Sequence, residues 1–130
     1  MKTAIYPGSF NPWHDGHQDV LNKALAVFDK VIVAQGLNPA KSEPLAFSIS
    51  KVEVVSFTGL LKDFINNYSD YRINAIIKGI RNSNDFEYEK TQQYWNEDLG
   101  IVIPTIYFIS DRSLVHVSSS AIRQIDVFKK

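Results

Sequence analysis

The stretch AIYPGSFNPWHDGH, residues 4–17, decides the fold predicted for this chain. Residues 4–6 predict a short strand that ends at Pro7 and Gly8, because both residue types interrupt regular strands. After Asp15, apolar residues recur at helical spacing and predict a helix. These apolar residues are Val20, Leu21, Ala24, Leu25 and Phe28. The stretch therefore predicts a strand, a turn and a helix in close succession.

The rest of the chain continues this alternation of strands and helices. Short β-branched runs predict strands at residues 31–34, 52–57, 75–77 and 105–109. Apolar spacing predicts helices at 60–68, 85–95 and 121–128, with Thr58 as the N-cap of the first. Parallel strands are joined by right-handed helical crossovers, so this order predicts an α/β fold. We expect a single Rossmann-like domain over residues 1–130, with a five-stranded parallel sheet flanked by helices.

Composition and charge exclude several classes of protein. Fourteen Lys and Arg residues balance fourteen Asp and Glu residues, so no overall positive field exists to bind a nucleic acid or an acidic membrane. The chain has no cysteine, which excludes disulfides, thiolate metal sites and a cysteine nucleophile. Gly8 closes a Pro-Gly turn before an apolar signal region forms, and no apolar run is long enough to span a bilayer. We therefore expect a cytoplasmic protein with one core.

Polar and glycine residues cluster after four of the predicted strands. They occupy residues 8–17, 38–41, 78–81 and 118–120. In parallel α/β sheets, ligands bind where loops leave the carboxyl ends of the strands. The first cluster opens a helix with two glycines and two histidines. It offers backbone N–H donors, the positive end of the helix dipole and two imidazoles, which together suit an anion.

The two histidines, His14 and His17, also have plainer interpretations. Taken singly, they would be a helix cap and a surface residue. A zinc pair is a further alternative, although the rings stand three residues apart and no clear third ligand accompanies them. The spacing is neither that of a P-loop nor that of a dinucleotide-binding fold. With Gly-Ser-Phe-Asn-Pro before it, the His-Asp-Gly-His sequence resembles the HxGH motif of the nucleotidyltransferase superfamily, whose histidines contact ATP phosphates.

A second stretch narrows the resemblance to one branch of that superfamily. Residues 77–89, IKGIRNSNDFEYE, resemble the phosphopantetheine adenylyltransferase pattern of a basic residue, Gly, an aliphatic residue and Arg, followed by Asp-Phe-Glu-Tyr-Glu. Arg81 can present a planar donor fork to a triphosphate, and Lys78 a point charge to the phosphate of a second substrate. On local grounds alone, the alternatives are a basic pair at a solvated helix entry and an ordinary surface residue at Glu89.

Two further segments match the family. The serine run at residues 118–120 resembles the ISSS segment that holds ATP phosphates, although a serine-rich N-cap without a ligand would have the same sequence. Lys41 matches the loop lysine that contacts the transferred phosphate. Alone, it would be an ordinary surface lysine.

The resemblance implies a reaction and a set of roles. ATP and 4'-phosphopantetheine would give dephospho-CoA and pyrophosphate, a step of coenzyme A biosynthesis, with Mg²⁺ accompanying ATP. The implied catalytic residues are His17, Ser9, Lys41 and Arg81. The implied ATP-binding residues are Ser9, Phe10, His14, His17, Gly79, Ile80, Arg81, Glu89, Ser118, Ser119 and Ser120. The implied substrate-binding residues are Ser9, Lys41, Leu61 and Lys78. No residue is assigned as a metal ligand, and a homo-oligomer is left open.

Departures from the family pattern keep two other functions open. Asn11, His14 and Arg123 are closer to the nicotinamide or nicotinate mononucleotide adenylyltransferases, whose co-substrate is a pyridine mononucleotide. Lys78 stands where the family has arginine, so bidentate geometry is lost. Residues 42–51 are too few for the helix that the family inserts there, together with its loops. These losses would also suit a regulator that binds ATP or a CoA-like ligand without turnover.

Overall fold

The computed structural model describes residues 1–38, 40, 46–68 and 72–111. The elements in these ranges are β1 (Thr3–Gly8), α1 (Asp15–Leu25), β2 (Lys30–Gly36), β3 (Glu53–Phe57), α2 (Leu61–Asn67), β4 (Ala75–Ile80), α3 (Ser83–Asp98) and β5 (Thr105–Ile109). Lys41, the serine run at 118–120, Arg123 and the predicted helix at 121–128 lie outside the described residues. None of the helices in these ranges is long and apolar enough to cross a membrane.

The strands form one parallel sheet in the order β3-β2-β1-β4-β5, which confirms the predicted fold class. β1 is central and pairs with β2 along its whole length, from Thr3 opposite Lys30 to Gly8 opposite Gln35. On its other side, β1 pairs with β4. The chain winds outward through β2 and β3 and then returns to the opposite side of β1. The sheet therefore has its topological switch point between β1 and β4, where folds of this type bind ligands.

Buried side chains cover both faces of the sheet, because successive strand residues point to opposite faces. One cluster joins the sheet to α1 and contains Ala4, Tyr6, Phe10, Val20, Leu21, Ala24, Val31, Val33, Ala75 and Ile77. The other cluster packs against α2 and contains Ile5, Ile32, Ala34, Ile73 and Ile76. A fully buried aliphatic side chain stabilises a fold by roughly 1.5–3 kcal/mol relative to an exposed one. The central strands are therefore a rigid support for the loops at their ends.

Three strands, β1, β2 and β4, are longer than predicted, and β2 extends beyond 31–34 at both ends. Pro7 and Gly8 do not end β1 but continue it beside β2. β4 runs on to Ile80, so Lys78 and Gly79 lie in the strand and not in a loop. Both pair with β5, whose ladder outweighs the weak strand preference of these residue types.

The helices differ from the prediction at their ends. α1 ends at Leu25, and Phe28 packs against the core from the segment beyond it. Thr58 is not the N-cap of α2, because the chain first turns at Gly59, whose φ of 81° belongs to the left-handed region. The cap residue is Leu60, which makes no side-chain capping hydrogen bond.

α3 is longer than predicted, and its contacts with the sheet are polar. It is capped by Asn82, whose side chain accepts the Asp85 N–H at 2.9 Å. Thr105 Oγ1 donates to Gln93 Oε1 at 2.7 Å, which joins the middle of the helix to β5. None of its residues is buried. Ion pairs from Lys78 to Glu89 and from Arg81 to Asp85 place the first turns of α3 beside the end of β4.

Candidate active site

A cleft of about 510 Å³ opens at the carboxyl ends of β1 and β4, beside the first turn of α1. This is the topological switch point of the sheet. The predicted site residues that line the cleft are Ser9, Phe10, His14, His17, Lys78, Gly79, Arg81 and Glu89. The structure therefore brings together the HxGH segment and the segment around Lys78, although Lys78 follows His17 by about half the length of the chain.

Of the predicted site residues that the structure describes, two do not line the cleft. Ile80 is the last residue of β4 and pairs with Ile109 of β5. Leu61 lies at the start of α2 and packs into the apolar cluster on the other face of the sheet. Their proposed contacts with ATP and with the second substrate stay predictions.

The two histidines form a reciprocal cap at the start of α1. His14 is the N-cap residue, and its Nδ1 accepts the Gly16 N–H at 3.1 Å. The Nδ1 of His17 accepts the His14 N–H at 3.2 Å. Each ring thus binds a backbone donor that the helix itself leaves unpaired. The plainer interpretation of His14 as a helix cap is correct, but the same contact also fixes both rings in the cleft.

Glycine is required between the histidines because of the space that the His14 ring occupies. A Cβ added at Gly16 would lie 2.9 Å from Cε1 of His14, closer than carbon atoms approach. Gly8 has the same relation to a second ring, since its Cβ would lie 2.8 Å from Cζ of Phe10. Phe10 itself has a φ of 46°, an uncommon conformation for a residue with a side chain.

Both histidines are neutral in this arrangement. Burial, the His14 ring and the Arg81 guanidinium lower the pKa of His17 from 6.5 to about 3. Burial and Arg81 also lower the pKa of His14, while Asp15 acts in the opposite direction. Because each Nδ1 is occupied as an acceptor, the hydrogen-bond network assigns the proton of each neutral ring to Nε2. The start of α1 therefore carries two Nε2–H donors without a positive charge.

Two cations on the opposite wall are each paired with a carboxylate of α3. The Arg81 N–H and Nε both donate to Oδ2 of Asp85 at 3.0 Å, and Nη2 donates to Oδ1 at 3.4 Å. Nζ of Lys78 lies 3.8 Å from Oε2 of Glu89. These pairs orient the cations and balance their charge. A bound phosphate would therefore share each cation with a carboxylate.

The loop after β1 is fixed by a buried side chain of β2. Gln35 is 4% exposed, and its Nε2 donates to the Ser9 carbonyl at 3.0 Å. The hydroxyl of Ser9 thus stands on a backbone that is held against the sheet. Gln35 was not singled out in the sequence, since its role depends on β1 and β2 lying side by side.

Tyr6 is a cleft residue that the sequence analysis missed. It is 4% exposed, and its ring packs edge-on against Phe10 with 5.1 Å between centroids. Burial and the carboxylates of Asp19 and Glu89 raise the pKa of Tyr6, so its hydroxyl stays protonated. Successive residues of β1 point to opposite faces of the sheet, which places Tyr6 on the α1 face. This alternation could have predicted its position from the sequence. Asp85, Tyr88 and Ser110 also line the cleft without having been predicted.

The chain is similar to known proteins over nearly its whole length. The cytidylyltransferase-like family model matches residues 5–125. The chain is 39% identical to the phosphopantetheine adenylyltransferase of Clostridium tetani, over 98% of this chain and 86% of that protein. It is 36% identical to the enzyme of the same name from Clostridium beijerinckii, with the same coverage. The phosphopantetheine adenylyltransferase of Clostridium botulinum strain Hall is 37% identical over 98% of this chain and 84% of that protein.

Two solved structures share the fold. The lipopolysaccharide core biosynthesis protein from Thermoplasma volcanium has a TM-score of 0.55 and 18% identity, covering 85% of this chain and 98% of that one. Pantoate-beta-alanine ligase from Francisella tularensis has a TM-score of 0.59 and 15% identity, covering 94% of this chain and 65% of that one. At these identities the likeness shows the fold alone.

The chain therefore belongs to the cytidylyltransferase-like family of nucleotidyltransferases. Within that family, its relatives over nearly the full length include phosphopantetheine adenylyltransferases. The resemblance predicted from the HxGH motif and from residues 77–89 is confirmed.

Proposed function

We propose that this chain joins 4'-phosphopantetheine to the AMP half of ATP, releasing pyrophosphate and forming dephospho-CoA in coenzyme A biosynthesis. The observation that carries the proposal is one cleft in which the neutral imidazole of His17 and the guanidinium of Arg81 lie together at the switch point of the sheet. The names of the relatives support the choice of reaction and of co-substrate.

The chemistry of this transfer needs no covalent intermediate. An oxygen of the 4'-phosphate forms a bond to the α-phosphorus of ATP. The bond from the α-phosphorus to the oxygen that bridges to the β-phosphorus breaks, and that oxygen leaves with pyrophosphate. Since the attacking phosphate is already an anion near neutral pH, a strong general base is not required. Catalysis then consists of holding two anions in line and stabilising the charge that moves onto the leaving group.

The residues of the cleft can hold the two anions and stabilise the charge of the leaving group. His17 donates its Nε2–H to an oxygen of the phosphoryl group in transfer, and its low pKa keeps it in one protonation state at neutral pH. His14 supplies a second donor. Arg81, oriented by Asp85, binds the triphosphate. Glu89 accepts hydrogen bonds from the adenosine part.

The second substrate lies on the other side of the transferred group in this proposal. Ser9 and Lys78 bind its phosphate, and Gln35 supports the first of these through the Ser9 carbonyl. By family resemblance, Lys41 joins them, Leu61 contacts the substrate further out, and residues 118–120 hold the ATP phosphates. Gly79 and Ile80 would contact ATP through the end of β4.

Mg²⁺ is proposed to enter with ATP and not to occupy a cage of protein carboxylates. In residues 1–38, 40, 46–68 and 72–111, no group of three or more His, Cys, Asp or Glu side chains could hold a metal ion. The cleft carboxylates Asp85 and Glu89 are engaged by Arg81 and Lys78. Mg²⁺ is commonly held by substrate phosphates with several waters retained, and that mode fits this donor set. When bound, it would neutralise part of the triphosphate charge.

The experiment is pyrophosphate release from ATP and Mg²⁺, with three co-substrates offered separately. The proposal expects turnover with 4'-phosphopantetheine. Turnover only with nicotinamide or nicotinate mononucleotide would reassign the co-substrate, an alternative that the residue types at Asn11, His14 and Arg123 favour. ATP binding by calorimetry without pyrophosphate release from any of the three would favour the regulator.

The cellular setting is part of the proposal. We expect one nucleotidyltransferase domain over residues 1–130, acting in the cytoplasm without a nucleic acid or membrane partner. The single sheet supports the assignment of one domain. Assembly into a homo-oligomer stays a prediction, which analytical ultracentrifugation of the purified protein tests.

A further inference from the structure

Aromatic rings enclose His17 on three sides. The His14 ring stacks on it, with 3.7 Å between centroids and 19° between planes. The Phe10 ring meets it edge-on at 4.9 Å, and the Trp13 indole lies at 5.2 Å with a tilt of 33°. Since Nδ1 of His17 is bound to the His14 N–H, only Nε2–H remains for a ligand. The direction of this donor depends on the rings around it.

Trp13 is itself held from two sides. Phe47 stacks on its indole, with 5.4 Å between centroids and 19° between planes. The indole Nε1–H donates to Oε1 of Gln18 at 3.2 Å, and Nε2 of Gln18 donates to Oδ1 of Asn22 at 3.0 Å. Phe47 also meets the Phe10 ring at 5.9 Å. It therefore stands behind both apolar rings that contact His17.

We propose that Trp13 and Phe47 are positioning residues that fix the His17 imidazole in its donor orientation and exclude water from its faces. Neither residue is among those that line the cleft, and we assign their effect on the reaction to their contacts with the rings around His17. The kinetic part of this inference rests on the proposed function. The enclosure of His17 can be measured without any substrate.

Among the residues that the structure describes, two titratable groups act on the His17 ring. They are His14, the N-cap residue of α1, and Arg81, which follows β4, and both disfavour a protonated His17. Asp85 is bound to Arg81 and reduces its effect. Burial is the larger cause of the low pKa of His17. Removing the indole would admit water and raise that pKa, while Arg81 stays in place.

The test compares Trp13→Leu and Phe47→Leu with two reference variants. Leucine keeps apolar volume, so that the core still folds, but removes the ring. Trp13→Phe restores a ring and should recover the wild-type behaviour. Ile49→Ala is the matched control, because Ile49 packs against the same core from the segment that carries Phe47. Each protein is titrated by NMR at the histidine Cε1–H signals and assayed for kcat and KM.

In Trp13→Leu, the pKa of His17 should rise by about one unit or more, and kcat should fall about tenfold with KM for ATP nearly unchanged. Phe47→Leu should change the pKa of His17 and kcat less than Trp13→Leu does. Ile49→Ala should change neither quantity. An unchanged pKa of His17 in folded Trp13→Leu, or a change equal to that in Ile49→Ala, would overturn the inference. If the wild-type protein releases no pyrophosphate, the proposed function fails, and the NMR titration still decides whether Trp13 encloses His17.

Discussion

The imidazole rings of His14 and His17 stack with centroids 3.7 Å apart, and each ring uses its Nδ1 to accept a backbone N–H of the first turn of α1. Protonation of either Nδ1 would remove an acceptor, and two imidazolium ions at this distance would repel each other. The same contacts that begin the helix therefore require uncharged rings. Fold stability and the protonation state of the candidate active site are linked.

The free energy of unfolding should fall as the pH is lowered from 6.5 toward 3. The unfolded chain protonates His17 with the ordinary pKa of 6.5, whereas the folded protein does so only at about 3. Below pH 6.5 the unfolded state binds more protons, so this contribution is fully present above that pH and is lost as the pH falls. The slope for one proton is about 1.4 kcal/mol per pH unit. The lowered pKa of His14 acts in the same direction.

Urea unfolding across this pH range measures the effect, with His17→Asn as the control. The amide oxygen of Asn keeps an acceptor for the His14 N–H but does not titrate. We expect a weaker pH dependence in the variant than in the wild type. Equal dependence in the two proteins would assign the effect to other groups.

Replacing Lys78 by Met should raise KM for 4'-phosphopantetheine by about tenfold or more, with KM for ATP changed much less. The substitution removes the cation that we assign to the phosphate of the second substrate, and hydrogen bonds to charged groups are worth about 1.5–3 kcal/mol. Lys78→Arg keeps the charge and should bind this substrate at least as well as the wild type. Steady-state kinetics with each substrate varied in turn gives both constants. An unaltered KM in Lys78→Met would remove Lys78 from the binding site.

Gly79→Ala should destabilise the protein by about 1–3 kcal/mol, the usual cost of overpacking. A Cβ at this position of β4 would lie 2.8 Å from Cγ2 of Val20, a buried residue of α1. The double variant Gly79→Ala/Val20→Ala removes the clashing methyl groups. Its loss of stability should be smaller than the sum of the two single losses, as measured by urea unfolding. Additive losses would show that the close packing of α1 on β4 is not the reason for glycine.

The central strands and α1 could be predicted from the sequence because their patterns are local. Residues such as Ile32 and Leu21 are completely buried, and the spacing of apolar residues along the chain predicts this burial. The end of β4 could not be predicted in this way. Lys78 and Gly79 are poor strand formers, and their place in the sheet depends on pairing with Tyr107 and Phe108, which are distant in sequence.

The residues of the candidate site could likewise be predicted only where their sequence pattern is local. His14 and His17 could be predicted because their motif lies within one helical turn. Arg81 could be predicted because residues 77–89 form one continuous sequence pattern. The contact of Trp13 with Phe47 and the pairing of Lys78 with Glu89 depend on packing between separate elements. No local pattern reports such contacts.

The most direct test of the account is to identify the products made from ATP and 4'-phosphopantetheine in the presence of Mg²⁺. Mass spectrometry of the wild-type reaction should show dephospho-CoA in equal amount to pyrophosphate. His17→Asn, with its fold intact by circular dichroism, should form both about a hundredfold more slowly, as expected for the loss of one oriented transition-state donor. AMP in place of dephospho-CoA, no product at all, or an undiminished rate in His17→Asn would contradict the account.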